Sequence, residues 1–315
     1  MKKNVTLLFF ALLGISMTFA FAQNDAVDKD VSHFKLKDIK FKPYIDVLCT
    51  PEGRNVLRDS PSDHIHHHGL MFAIKVDGVN FWEEFDDTFG KQIVVGEPRF
   101  GIVTVVGGQP QGKIYSTKVD LDWVDGSQNV LLKEKRAVIV QAMEGKKTPR
   151  LLTWESQFFV PEGKEKAVLG GNHYHGLGMR FDASMDKGGE FFIGDPGTAE
   201  KVGGGDETLT PCKWMAYTAD LEGKPVTVAL FDSPKNPRQM LAFTMGNGSA
   251  FAYLSATVNL YREPLELDQG QAVTFCYGVA VWEGKQTSED VNITYRKWLV
   301  DKLPQPLKEF SNEQK

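Results

Sequence analysis

Lys113-Ile114-Tyr115-Ser116-Thr117-Lys118-Val119-Asp120-Leu121-Asp122-Trp123 alternates side chains in a period of two, and Val124-Asp125-Gly126 follows it. A β-strand sends successive side chains to opposite faces, so this stretch reads as a half-buried strand ended by a turn. The next run, 129–141, reads the same way, with that turn between the two. Working outward toward the N-terminus, residues 34–37, 39–44, 69–76 and 101–106 repeat the pattern. Toward the C-terminus, 151–160, 176–181, 190–193, 214–218, 226–231, 250–255 and 272–282 continue it, with turns at Val76-Asp77-Gly78 and Pro161-Glu162-Gly163. Many short strands at this spacing predict an all-β protein, a large antiparallel β-sandwich.

One segment departs from period two. Thr287-Ser288-Glu289-Asp290 offers helix-capping chemistry, and Val291, Tyr295, Trp298 and Leu299 then recur at helical spacing. They predict a single C-terminal amphipathic helix reaching about Lys302 and packed on a sheet. Gly203-Gly204-Gly205 lacks the lysine-serine pair of a phosphate-binding loop and reads as a surface loop. The expected organisation is a signal peptide at 1–22, a polar leader at 23–30, one β-sandwich domain with its helix at 31–303, and a tail at 304–315.

The leader carries Lys2 and Lys3, an apolar run, and Ala20-Phe21-Ala22, the small-x-small pattern of a cleavage site. The residue just after that site is Gln23 and not a cysteine, so the chain is expected to be periplasmic or secreted rather than lipid-anchored. No later stretch is long and apolar enough to span a bilayer as a helix. A net charge of −5 argues against nucleic acid. The three cysteines, Cys49, Cys212 and Cys276, are too few for a disulfide framework and read as small core residues.

Function is concentrated in the histidines. The chain has seven, of which four lie in Asp63-His64-Ile65-His66-His67-His68-Gly69 and two in Asn172-His173-Tyr174-His175-Gly176. Imidazole moves protons near neutral pH and binds transition metals. On strands, His64, His66 and His68 would share a face opposite His67, and His173 would share one with His175 opposite Tyr174. Convergence of the two clusters would build a single site. His64, His66, His68 and His175 could then hold one divalent ion, zinc, manganese or iron. Without metal, His173, His64 and His66 would be acid/base groups, with Glu155 as a further candidate because its strand neighbours are apolar or aromatic. Asn172, His175, Trp82 and Arg238 are the expected substrate ligands, since sugar sites combine aromatic faces with a few placed polar groups.

Three segments, Asp63-His64-Ile65-His66-His67-His68-Gly69-Leu70, Gly78-Val79-Asn80-Phe81-Trp82 and Asn236-Pro237-Arg238, together resemble the PmoA-like family of bacterial proteins. Ile65 and His68 stand where that family has Pro and Arg. Its name implies a membrane oxygenase subunit of transmembrane helices, which this strand-patterned chain does not match. Asn172-His173-Tyr174-His175-Gly176-Leu177 and Pro264-Leu265-Glu266-Leu267-Asp268-Gln269-Gly270 resemble segments of galactose-mutarotase-like β-supersandwiches. That resemblance implies a supersandwich and a catalytic acid at His173; the family's catalytic glutamate has no clear counterpart, Glu155 and Glu263 being the nearest choices.

Three functions are compatible with these residues. One is an exported enzyme of histidine-based, metal-assisted or metal-free epimerisation, elimination or hydration on a sugar or keto-sugar derivative, its partner a small-molecule sugar or oligosaccharide. The others are a non-catalytic carbohydrate-binding sandwich and a metal-dependent oxidoreductase.

Overall fold

The computed structural model describes residues 31–37, 39–105, 111–145, 148–194, 199–203, 206–246 and 249–300, together with the backbone of 18–20. The polar leader at 23–30, the tail at 304–315 and most of the signal-peptide run lie outside the described residues. Strands are numbered β1 to β21 in chain order. The backbone of β1 (Thr18–Ala20) pairs with β7 (Lys91–Val105) at one edge of a nine-stranded antiparallel sheet. That sheet continues through β8 (Gly112–Val124), β9 (Val130–Met143), β10 (Arg150–Phe159) and β21 (Ala272–Glu283). It ends with β17 (Lys224–Asp232), β16 (Trp214–Leu221) and β13 (Glu190–Ile193).

The second large sheet has eight strands. Its order is β14 (Glu200–Lys201), β15 (Thr208–Pro211), β18 (Leu241–Met245), β19 (Tyr253–Thr257), β12 (Gly176–Arg180), β4 (Leu70–Ala73), β3 (Tyr44–Leu48) and β2 (Ser32–Lys35). A small sheet of β20 (Leu265–Asp268), β11 (Lys166–Gly170), β5 (Lys75–Val76) and β6 (Val79–Asn80) closes one flank.

The two large sheets bury their facing side chains in one core. Phe72 of β4 lies 5.6 Å from Phe158 of β10 and 5.9 Å from Phe275 of β21, and Phe34 of β2 lies 5.7 Å from Trp154. The all-β sandwich expected from the alternation is therefore the observed fold. The opening strand and the next pair antiparallel, Tyr115 opposite Val140 and Val119 opposite Arg136. Tyr115, Val119, Leu121 and Trp123 are buried, as one face of a strand requires. The run expected at 69–76 is broken after Ala73, which lets its second half join the small sheet.

The C-terminal helix α1 (Ser288–Val300) packs on the outer face of the nine-stranded sheet. Trp298 donates its indole N–H to Thr153 Oγ1 at 2.9 Å, and Phe231 meets Tyr295 at 5.5 Å. Leu299, expected on the buried face, is instead exposed. At 100° per residue it lies about 80° from Val291, beyond the stripe that Val291, Tyr295 and Trp298 occupy. A reciprocal cap closes the helix start: Asp290 N–H donates to Thr287 Oγ1 at 3.2 Å, and Thr287 N–H to Asp290 Oδ2 at 3.0 Å. Thr287→Ala is expected to cost about 1 kcal/mol in urea denaturation; an unchanged midpoint would mean the cap contributes nothing.

The candidate active site

Neither histidine cluster lies on a strand, which corrects the expected alternation. In the first cluster Pro61 O accepts from His64 N–H at 3.0 Å and His64 O from His67 N–H at 2.9 Å, giving two successive turns. The loop is tied at its base to the end of β12: Arg58 N–H donates to Arg180 O, and Arg180 N–H to Gly69 O at 2.8 Å. Gly69 has φ +34°, and a Cβ there would sit 2.1 Å from Ile45 O, so the close approach requires glycine. The turns bring His64, His66 and His67 together. Rings of His64 and His67 stack at 4.6 Å, and His66 meets His67 edge-on at 4.7 Å. His68 turns away instead of joining them.

The second cluster is also a turn. Asn172 O accepts from His175 N–H at 3.1 Å, and Asn172 Oδ1 accepts from His173 N–H at 2.9 Å. It presents Tyr174, not His173 with His175, to the cavity. His175 is buried and stacks on Trp82 at 5.0 Å with 8° between planes. His173 Nε2 lies 3.0 Å from Glu207 Oε2.

Between these turns lies a cavity of about 270 Å³. Its polar walls come from His64, His66, His67, Glu83, Tyr174 and Glu207. Trp82, Phe85, Phe243, Phe251 and Tyr253 supply aromatic surface. Asn80 Oδ1 accepts from Trp82 N–H at 2.8 Å and so turns the chain that carries Trp82 and Glu83 into place, while the Asn80 amide also bonds Glu83.

Electrostatics separate the histidines. Burial, with Lys42 nearby, lowers the His66 pKa to about 4, and burial beside His66 and His64 lowers that of His67 to about 2. Burial, then Lys75 and His173, hold His175 well below its ordinary value. All three are neutral at pH 7. His68 goes the opposite way: burial opposes its charge, but hydrogen bonds to Asp59 and Glu84 outweigh that and raise its pKa. Its Nδ1 lies 2.7 Å from Asp59 Oδ1 and its Nε2 3.0 Å from Glu84 Oε2. Glu84 also pairs with the buried Lys42, and the His68 ring stacks on Tyr44 at 4.3 Å. Tyr174 donates to Glu83 Oε1 at 3.0 Å, and burial with the Glu83 charge keeps the phenol protonated.

The four-histidine metal set is not assembled. Both ring nitrogens of His68 are taken by carboxylates, and His175 is packed behind Trp82. Among the described residues no group of three or more His, Cys, Asp and Glu side chains is arranged to hold a metal ion. Glu155 lies on β10 opposite Ala137 and Cys276 and does not line the cavity; burial raises its pKa, and Lys235 moderates the shift. Arg238 donates to the backbone oxygens of Val258, Glu263 and Pro264, so it braces a turn and is not a cavity ligand.

Sequence reasoning missed His67, Tyr174, Glu207, Phe243, Phe251 and Tyr253. A signal existed for Phe251 and Tyr253, aromatics two apart at a strand start and hence on one face. None existed for Glu207, which the fold carries in beside a glycine-rich loop.

No curated protein matches the chain. Among solved structures it is similar to an α-galactosidase of glycoside hydrolase family 36 from Geobacillus stearothermophilus in complex with 1-deoxygalactonojirimycin. The TM-score is 0.43 at 14% identity, over 72% of this chain and 31% of that one. A second family 36 α-galactosidase from the same organism gives 0.42 at 15% identity, over 71% and 31%. An α-galactosidase from Lactobacillus brevis gives 0.39 at 9%, over 62% and 28%. The chain spans less than a third of the length of these enzymes, and likeness of this degree bears on neither substrate nor mechanism. One family model matches residues 26–296, and the chain thus belongs to a family of unknown function, DUF6807.

Proposed function

We propose that the cavity binds a sugar or keto-sugar derivative and transfers protons on it, leading to epimerisation, elimination or hydration. The observation that supports this reading is one aromatic-lined cavity holding unprotonated imidazoles beside a tyrosine–glutamate pair. An unprotonated imidazole such as His66 is a base at neutral pH, and His66 with His64 beside it on the cavity wall are the groups offered to a substrate C–H or anomeric hydroxyl. Tyr174, held protonated, and Glu83 form a donor and acceptor for neighbouring sugar hydroxyls. Phe85, Phe243 and Phe251 offer apolar faces to the C–H surface of a pyranose.

Removing a proton next to a carbonyl leaves an electron pair that delocalises onto the carbonyl oxygen as an enediolate. A hydrogen-bond donor aimed at that oxygen lowers the barrier. Returning the proton to the other face epimerises the centre, whereas expelling a neighbouring substituent eliminates it. The signal-peptide pattern of residues 1–22 supports an exported setting for this chemistry.

The test is incubation of the protein in D₂O with a panel of aldoses, ketoses and 3-keto-sugar derivatives, with loss of C–H signals followed by proton NMR. Wild type is expected to exchange one proton of a bound sugar. A double His64→Gln, His66→Gln variant is expected to slow exchange about 10²–10⁴-fold while still binding. Binding without exchange in both proteins would replace the enzyme by a carbohydrate-binding module. No binding of any panel member would overturn the reading.

A further inference from the structure

We infer that Arg180 and Asp63 are a positioning pair for His64: Arg180 clamps the Asp63 carboxylate, which accepts Nδ1–H of His64 and leaves Nε2 as the nitrogen that takes the substrate proton. The inference rests on the proton-transfer reading of the cavity and divides labour among its histidines.

Asp63 Oδ2 receives Arg180 Nη2–H at 2.8 Å and lies 3.1 Å from His64 Nδ1. A carboxylate on one imidazole nitrogen sets the tautomer and stabilises the imidazolium that forms when the other nitrogen accepts a proton. His64 alone among the cavity's histidines combines a carboxylate on one nitrogen with a second nitrogen that no described group engages. His66 and His67 have no carboxylate partner, and each has a buried Nδ1 without a hydrogen bond. Outside that wall, His173 has its Nε2 on Glu207, and His68 has both nitrogens taken.

The ring is also immobilised. It stacks on His67 and meets the edge of Phe251 at 4.9 Å, and the Arg180 guanidinium lies 3.6 Å from the centre of that same Phe251 ring. Arg180 is 1% exposed, and its Nε and Nη1 have no hydrogen-bond partner. A guanidinium buried with unused donors is costly, and a methionine or leucine would fill the same space more favourably. Its charge is accounted for by what it does to Asp63, whose carboxyl lies at about 2: burial raises it, and His64 and Arg180 overcome that. The groups facing His64 are Asp63 with Arg180 behind it, stacked His67 and edge-on His66, with Glu83 and Glu207 on the cavity wall.

The test is long-range proton–nitrogen NMR of the histidine rings in the full chain, with His64→Gln assigning its signals. Wild type is expected to show the neutral His64 ring as a single Nδ1–H tautomer. Asp63→Ala, at a half-exposed position, is expected to release it to a mixture. Arg180→Met is expected to do the same in part, with Arg180→Lys restoring the wild-type pattern. An unchanged tautomer in folded Asp63→Ala overturns the proposal. An unchanged tautomer in folded Arg180→Met removes Arg180 from it; where Arg180→Met does not fold, a mixture in Arg180→Lys does so, because a cation at that position then fails to hold Asp63. The tautomer reads out without substrate, so its failure differs from the failure of proton exchange. With a substrate in hand, Asp63→Ala is expected to lower kcat about 10²-fold or more with KM little changed.

Discussion

A Glu134→Leu variant is expected to lose about 3–5 kcal/mol of folding stability, because it leaves a buried guanidinium without its counter-charge. Glu134 and Arg136 lie one strand alternation apart on β9, both fully shielded from water inside the sandwich. Arg136 Nε–H donates to Glu134 Oε1 at 2.7 Å and Nη2–H to Glu134 Oε2 at 2.7 Å. The remaining donors reach Gln92 Oε1 at 2.8 Å and Pro43 O at 3.1 Å, and the guanidinium stacks on Trp154. Glu134 also accepts from the Trp123 indole at 2.8 Å and from Ser156 at 2.5 Å. Leucine would therefore strand Arg136, Trp123 and Ser156 at once. Adding Arg136→Met to Glu134→Leu is expected to recover the part of the loss due to the stranded charge, since an apolar pair of similar size needs no counter-charge, while Trp123 and Ser156 stay without the Glu134 acceptor. Urea denaturation of the single and double variants decides this. A single-variant cost below about 1 kcal/mol would mean that water already reaches the pair.

Mild acid is expected to weaken the fold steeply. His66, His67 and His175 are neutral in the folded protein, with His66 at about 4, His67 at about 2 and His175 well below 6.5. The unfolded chain protonates each near 6.5. Folded values that lie below unfolded ones contribute stability present above pH 6.5 and lost as pH falls. Each such group gives a slope of about 1.4 kcal/mol per pH unit. His66, the least buried of the three, contributes less than the full slope.

Asp232 opposes them. Burial raises it to about 6, so its protonation stabilises the fold between pH 6 and its unfolded value. Three destabilising protons set against that of Asp232, with further opposition from the raised Glu155 and Asp186, leave a net loss of about 2 kcal/mol from pH 6 to pH 5. That is a large part of a typical domain's stability. His68 works at the other end: its raised value makes its contribution full below pH 6.5 and lost as pH rises through the folded value. Urea midpoints measured from pH 8 to pH 5 are expected to pass through a maximum near neutrality. A flat profile between pH 7 and pH 5 would show that the three imidazoles are hydrated in the folded protein.

What the sequence by itself determined is the class of fold and the two short segments that flank the candidate cavity. Period-two patterning from Tyr115 to Trp123 and through its neighbours specifies strands because the pleat has that period, and one buried face locks their register. Thr287 to Asp290 specifies the helix start because its capping partners are local in the chain. Imidazoles crowded into two short segments point to the two turns between which the cavity lies, although only those of the first line it. Only the tertiary structure decided which of those imidazoles meet. Tight turns at 61–67 and 172–175 replaced the expected strands, and a turn does not preserve alternation. His67 therefore joined His64 and His66, Tyr174 replaced His173 and His175 at the cavity, and His68 was captured by Asp59 and Glu84. Glu207, Phe243 and Arg180 reached the site from distant strands and loops. Their positions depend on strand order across the sheet, a property of long-range packing that no local spacing encodes.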